Sequence, residues 1–387
     1  MVQDNMNRRR RSVLKGTGAV AAAALAGCMG GGGSDDGFRP MDLEEWPPED
    51  YEDSLNVWNW YFDFRDWAAE TFADEYDLEV NTGAYSDPSE WYSQLEGGNG
   101  EIDSIGSGID WTDRAMNNEY LEPLPVDMMP AWEEVPDSLK EILDEYHTTD
   151  GDVYALPQAL SINPSLTYNT EVFDSPPESW GVLWDDEFAD EMFMWDRSYY
   201  ACQIAALYTG QDPFDPDDMD EIREVLIQQR DLNVTYWSEF NHARGMFLNE
   251  DVVVGPLLDG QTYIAKYDDE APVDYTVPEE GTLYGMNDFV LPSNAPNPRA
   301  ALLFIDWVSR PENIKHMLTE LGYRPPVDDD DLMALYEPEL EDGTLTEERI
   351  EFHMWPEEWD DRLYFERPLD DDVLETFDEI WTEVKSA

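Results

Sequence analysis

Apolar residues in this chain cluster in short runs between acidic and proline-bearing stretches, and their spacing separates strands from helices. The run LNVWNW, residues 55 to 60, reads as a first strand; Phe64, Trp67, Ala68 and Phe72 then fall at helical spacing and predict a helix over 63 to 76. A second strand over Leu78 to Val80 follows, so strand, helix and strand succeed one another as they do at the start of a parallel α/β sheet. Further strands are expected at Ile102 to Ile105, Val153 to Leu156 and Leu166 to Asn169. A helix over 299 to 309 is expected behind Asn297 as N-cap and Pro298 at its first position, and another opens at Pro311 and closes at Gly322. Val57 and Trp58 should alternate through the sheet, leaving Trp60 and Tyr61 at the strand's end.

Composition changes this picture in one respect. The 387 residues suit two domains of ordinary size, and 42% hydrophobic content marks a folded chain. Against 22 Lys+Arg stand 89 Asp+Glu, a formal net charge of -67. No basic stripe exists beyond the N-terminus, which excludes nucleic acid as a partner. Self-repulsion on this scale is relieved where salt shortens the Debye length to about 3 Å, near 1 M, so the acidity points to very salty surroundings.

The N-terminus carries an address. RRRRSVLK (8 to 15) precedes the apolar run GTGAVAAAALAG and Cys28: a basic region, a short apolar segment and small residues, with Arg10 and Arg11 as a twin-arginine export signal. The run is too short to span a bilayer, which takes about 20 residues. Leu25, Ala26, Gly27 and Cys28 resemble a lipoprotein signal site, which implies lipidation at Cys28 of the exported chain. GGGGSDDG (30 to 37) reads as a flexible tether, and the Pro- and acid-rich residues 38 to 50 continue it as linker. Cys202, in the apolar run ACQIAALY, is expected in the core, and with Cys28 lipidated no intrachain disulfide can form.

Chemical motifs are sparse. His147, His242, His316 and His353 lack metal-ligand spacing, and no nucleophile elbow, phosphate loop or dinucleotide fingerprint is present, so no cofactor or metal is expected. The acid runs DPFDPDDMDE (212 to 221) and VDDDD (327 to 331) read as solvated loops and helix caps; the first lacks the glycine of a calcium loop. Paired carboxylates are expected by chance where about one residue in four is acidic, which weakens an enzyme reading. An exported, tethered two-domain α/β chain of this kind suggests a solute receptor.

More specific stretches then agree. LNVWNW with its helix and DLEV, DVYALPQA (152 to 159), LTYNTEVF (166 to 173), SWGVLWDDEF (179 to 188), VPEEGTLYGMNDFVLPSNAPNPRAALLFIDWV (277 to 308) and LGYRPP (321 to 326) resemble, in order, the spermidine/putrescine-binding proteins of ABC importers. The resemblance spans about residues 54 to 335. It implies a two-lobed α/β fold of the type II periplasmic-binding-protein kind, each lobe a sheet flanked by helices, with a ligand cleft between. The expected division is 1–28 signal, 29–53 tether, 54–158 with 286–330 as one lobe, and 159–285 with 331–387 as the other. A monomer on the extracellular face of the membrane, partnered by a permease, is implied.

The resemblance also implies where ligand is read. Family tryptophans match Trp60 but meet Leu258 and Gly285 elsewhere, and family acids meet Phe62, Asn287, Arg197 and Tyr200. Neighbouring residues that could compensate are Tyr61, Asp63, Asp110, Trp111, Asp196, Asp259 and Tyr284. Rings along methylenes and carboxylates at ammonium ends favour a polyamine-like cation. Arg197 leaves an organic anion or zwitterion open. From another class, a secreted carbohydrate-active enzyme would use two cleft carboxylates.

Overall fold

The computed structural model describes residues 38 to 85, 87 to 98 and 100 to 386; the expected signal, Cys28 and residues 29 to 37 of the tether lie outside the described residues. The described chain builds one sheet, leaves it for a second, and returns. β1 (Ser54–Trp58), β2 (Glu79–Gly83), β3 (Ser104–Gly108), β4 (Leu121–Glu122) and β7 (Ala155–Ile162) belong to the first sheet, with β5 (Thr148–Thr149) and β6 (Asp152–Val153) forming a small separate ribbon. The second sheet takes β8 (Ser165–Asn169), β9 (Met192–Trp195), β10 (Asn233–Trp237), β11 (Val254–Leu257) and β12 (Val273–Thr276). β13 (Thr282–Pro292) and β14 (Leu363–Phe365) then rejoin the first. The strand orders are β14-β13-β3-β1-β2, with β4 and β7 also on β13, and β10-β9-β11-β8-β12.

The passages between sheets lie inside the expected boundaries at 158 and 286. β7 stays paired with β13 as far as Ile162, and β13 is already in the first sheet at Tyr284. The C-terminal segment is divided rather than wholly in the second lobe: β14 pairs with β13, after which the helix Asp371–Ser386 packs on the helices Ser198–Tyr208 and Met219–Arg230.

Local chemistry explains the elements. Leu55 and Val57 of β1 face the core, and Phe64, Ala68 and Phe72 of the helix Phe62–Tyr76 close over it. β3 starts two residues later than its apolar run suggests, because Asp103 is committed elsewhere. Its carboxylate accepts from Asn56 N at 2.8 Å and from Asn297 N at 2.6 Å. Asn297 is the N-cap of the helix Pro298–Ser309, but its side chain donates to Asp103 at 2.9 Å and caps nothing. The helix expected from Pro311 to Gly322 is two short ones, Pro311–Ile314 and His316–Leu321, closed by Gly322 at φ 68°. Within the first acid run Asp218 caps the helix Met219–Arg230 through Glu221 N at 3.0 Å; in the second, Asp329 to Asp331 form the first turn of a helix. The Ser198–Tyr208 helix is apolar on nearly every side, and Cys202 is buried within it, its thiol pushed up by burial.

β1 runs parallel to both β2 and β3, so their carboxyl ends share one edge. The helices Phe62–Tyr76 and Ile109–Asn117 begin there, which is where open α/β sheets bind ligands.

Candidate ligand cleft

At the end of β1 the chain turns on Asn59, whose Oδ1 accepts from Tyr61 N at 3.0 Å, and the turn sets Trp60 and Tyr61 over the sheet edge. Trp60 is half-buried, its ring 6.0 Å from that of Tyr61 and 5.5 Å from that of Tyr85. Three groups meet above Gly108: where its Cβ would stand, Trp60 Cη2 is 3.4 Å away, Asp110 Oδ1 3.5 Å and Asn287 Oδ1 3.6 Å. Asn287 Nδ2 donates to the Tyr61 hydroxyl at 2.8 Å. Asp110 is exposed at the start of its helix, yet desolvation by the protein packed around it pushes its carboxyl up to about 6, against hydrogen bonds from the backbone of Trp111 and its own.

The second sheet contributes a stack. Tyr200 lies 4.5 Å from Trp195 with its ring nearly parallel, and Trp195 lies 4.8 Å from Trp237 in the same way. The Tyr200 hydroxyl donates to Glu366 Oε1 at 2.7 Å and accepts from Asn163 Nδ2 at 2.6 Å. Glu366 follows β14 directly, and its backbone N donates to Tyr284 O at 2.8 Å. Its carboxylate therefore lies against Gly285, where a Cβ would stand 2.5 Å from Glu366 Oε2. A Cβ there would push the carboxylate aside. Burial pushes Glu366 up to about 7; the Tyr200 hydrogen bond lowers it, and the charge of Asp110 raises it.

Behind Tyr61, whose ring is 5.1 Å from that of Tyr323, lies Asp259. Asp259 is 1% exposed; Oδ1 accepts from Ser161 Oγ at 2.8 Å and Gly260 N at 2.7 Å, while Oδ2 has no partner among the described residues. Burial pushes this carboxyl up to about 6, against those hydrogen bonds.

The structure thus sets Trp60, Tyr61, Asp110 and Asn287 together at the edge of the first sheet and Tyr200 beside Glu366, with Asp259 behind Tyr61, and these residues make up the candidate cleft. Tyr284 offers its carbonyl to Glu366, and its ring packs on Phe365 at 5.2 Å. Arg197 is exposed at the start of the Ser198–Tyr208 helix, its guanidinium 5.9 Å from the centre of the Trp195 ring. Three expected residues stand apart. Asp63 is exposed on its helix, its charge acting on Glu320. Trp111 packs edge-on to Trp91 at 6.2 Å and Tyr92 at 5.5 Å. Asp196 accepts from Trp381 Nε1 at 2.8 Å and Lys385 Nζ at 2.7 Å, away from the cleft. Tyr85, Asn163, Tyr323 and Glu366 join the cleft without having been picked out from sequence. Glu366, one acid among 89 Asp+Glu, carried no signal at all. Among the described residues no group of three or more His, Cys, Asp or Glu side chains could hold a metal.

Residues 67–341 match the family described as bacterial extracellular solute-binding protein. The spermidine/putrescine-binding periplasmic protein 1 of Haemophilus influenzae is 27% identical over 277 residues, covering 70% of this chain and 74% of that one. The Streptococcus pneumoniae spermidine/putrescine ABC transporter substrate-binding protein PotD superposes with a TM-score of 0.74 at 18% identity, over 87% of this chain and 99% of that one. The A. tumefaciens binding protein AgtB, solved with agropinic acid, gives 0.58 at 15% identity, over 86% and 98%. Among the described residues no helix is long and apolar enough to cross a membrane. With a two-lobed α/β fold of the periplasmic binding protein kind and a family match over most of its length, the chain belongs to the bacterial extracellular solute-binding proteins.

Proposed function

We propose that the protein is the solute-receiving subunit of an ABC importer, that it takes a small organic cation of the polyamine kind, and that it is a monomer exported by the twin-arginine route and held at the membrane by lipid on Cys28. The observation that carries the ligand class is the composition of the cleft. Trp60, packed with Tyr61 and Tyr85, stands with Asp110 over Gly108, and Tyr200 binds Glu366. An aromatic face attracts a cation by about 0.5–2 kcal/mol, and a desolvated ammonium needs a carboxylate beside it. The names of the H. influenzae and S. pneumoniae relatives support the same class. Arg197 does not favour an anion, since its guanidinium lies over the Trp195 ring, 5.9 Å from its centre. Carboxylates in the cleft do not favour an enzyme either, since the similar proteins are named as binding proteins.

The test is a thermal-shift screen at high salt with putrescine, spermidine, a quaternary amine, an organic acid and a sugar. Binding to the native state alone stabilises by about 2.7 kcal/mol at a hundredfold excess over Kd. A shift with amines is expected; a shift with the acid alone would refute the cation, and turnover of the sugar would refute the receptor. Membrane fractionation tests the anchor: Cys28→Ala should release the protein or leave its precursor uncleaved, and unchanged retention would refute lipidation.

A further inference from the structure

The last strand of the first sheet delivers an acid into the cleft that no pattern in the sequence announces. We propose that Glu366 is the principal ammonium-reading residue of this protein, its carboxylate held across the lobes by the Tyr200 hydroxyl. This deepens the cation reading above and rests on it.

The geometry carries the argument. Glu366 sits on the passage from β14 to the helix Asp371–Ser386, between the lobes, with Gly285 on one side and Tyr200 of the second lobe on the other. Tyr200 donates to Oε1 at 2.7 Å, while among the described residues Oε2 has only the long contact to Asn163 Nδ2 at 3.4 Å. Oε2 therefore keeps acceptor capacity for a stronger donor. Asp110 approaches from the first lobe, close enough for its charge to act on Glu366, Tyr199 and Tyr200. A primary ammonium has three donors. Asn163 Oδ1, closed off from water beside Glu366, has no partner among the described residues. Oδ2 of Asp259, farther along the wall, also lacks one. The cleft thus pairs surplus acceptors with aromatic faces.

Glu366 is desolvated between Gly285 and Tyr200, and in an empty cleft it holds its proton into the neutral range. The charged or titratable groups facing it are Asp110, itself under the charges of Arg197 and Asp113, and the hydroxyls of Tyr199 and Tyr200. An incoming ammonium replaces the proton, so amine binding near neutral pH should release it to solvent.

The experiment is isothermal titration of the intact mature protein with putrescine at high salt, in two buffers of different ionisation enthalpy, for wild type, Glu366→Gln and Gly285→Ala. Glu366→Gln keeps the size of the side chain and its bond from Tyr200. It should weaken putrescine by about 10- to 100-fold, the scale of a lost charge-assisted hydrogen bond, and abolish proton release. Gly285→Ala leaves the carboxylate in the chain but displaces it, and should weaken putrescine as well. Should Glu366→Gln fail to fold, Gly285→Ala alone decides. Unchanged affinity in either folded variant, or unchanged proton release in Glu366→Gln, would overturn the assignment while leaving the cation reading intact. If wild type binds no amine at all, both fall together.

Discussion

Trp60→Ala separates a cleft wall from a core residue, and the structure sets the size of both effects. The ring touches Tyr61 at 6.0 Å and Tyr85 at 5.5 Å, lies over Gly108, and is half-buried. A wall packed on one side only would leave the unliganded melt nearly unchanged, but these two ring contacts overturn that simple expectation. At about 0.5–1.5 kcal/mol per aromatic pair, the unliganded protein should lose about 1–3 kcal/mol, a fall of a few degrees in melting temperature. The free face is what a ligand would bury, so affinity for putrescine should fall by a further 1–3 kcal/mol or so, roughly 5- to 150-fold. Melting curves with and without putrescine, together with tryptophan fluorescence on titration, measure both quantities. A stability loss of about 3–5 kcal/mol, the cost of emptying a core, with untouched affinity, would refute the cleft assignment.

Other outcomes follow from charge. With a net charge of -67, the unfolding midpoint should rise steeply between about 0.1 M and 3 M salt as carboxylate repulsion is screened; a flat midpoint would refute the halophilic reading. Glu366 is raised in the folded state, so its stabilising contribution is present at low pH and is lost as pH rises through about 7. The unliganded melt should therefore climb as pH falls through about 7, and Glu366→Gln should flatten that climb. Below about 6.5 the neutral buried His147 and His353, pushed down to about 4 and 3, oppose the gain because the unfolded chain takes up their protons first, while Asp110 and Asp259, raised to about 6, add to it. A climb that persists unchanged in Glu366→Gln would show that other groups cause it.

The sequence by itself determined which segments form the first sheet's early strands and helices, because burial there follows a period that a linear pattern displays. Leu55 and Val57 point one way, and Phe64, Ala68 and Phe72 recur every turn. It also determined that Trp60 and Tyr61 stand at a strand's end, since the strand and the helix after it leave only a short turn between them. Tertiary structure decided the rest. β3 and β7 are buried on both faces and carry small or polar residues, so their extent depends on neighbours rather than on alternation. Asp196 looked like a cleft acid until the C-terminal helix supplied Trp381 and Lys385 as its partners. Glu366 became a cleft acid only because β14 returns beside β13, 81 residues after Gly285, and finds no side chain there. In a chain where acids are everywhere, an acid's identity carries little information, and its role is set by which groups desolvate it and which donors reach it.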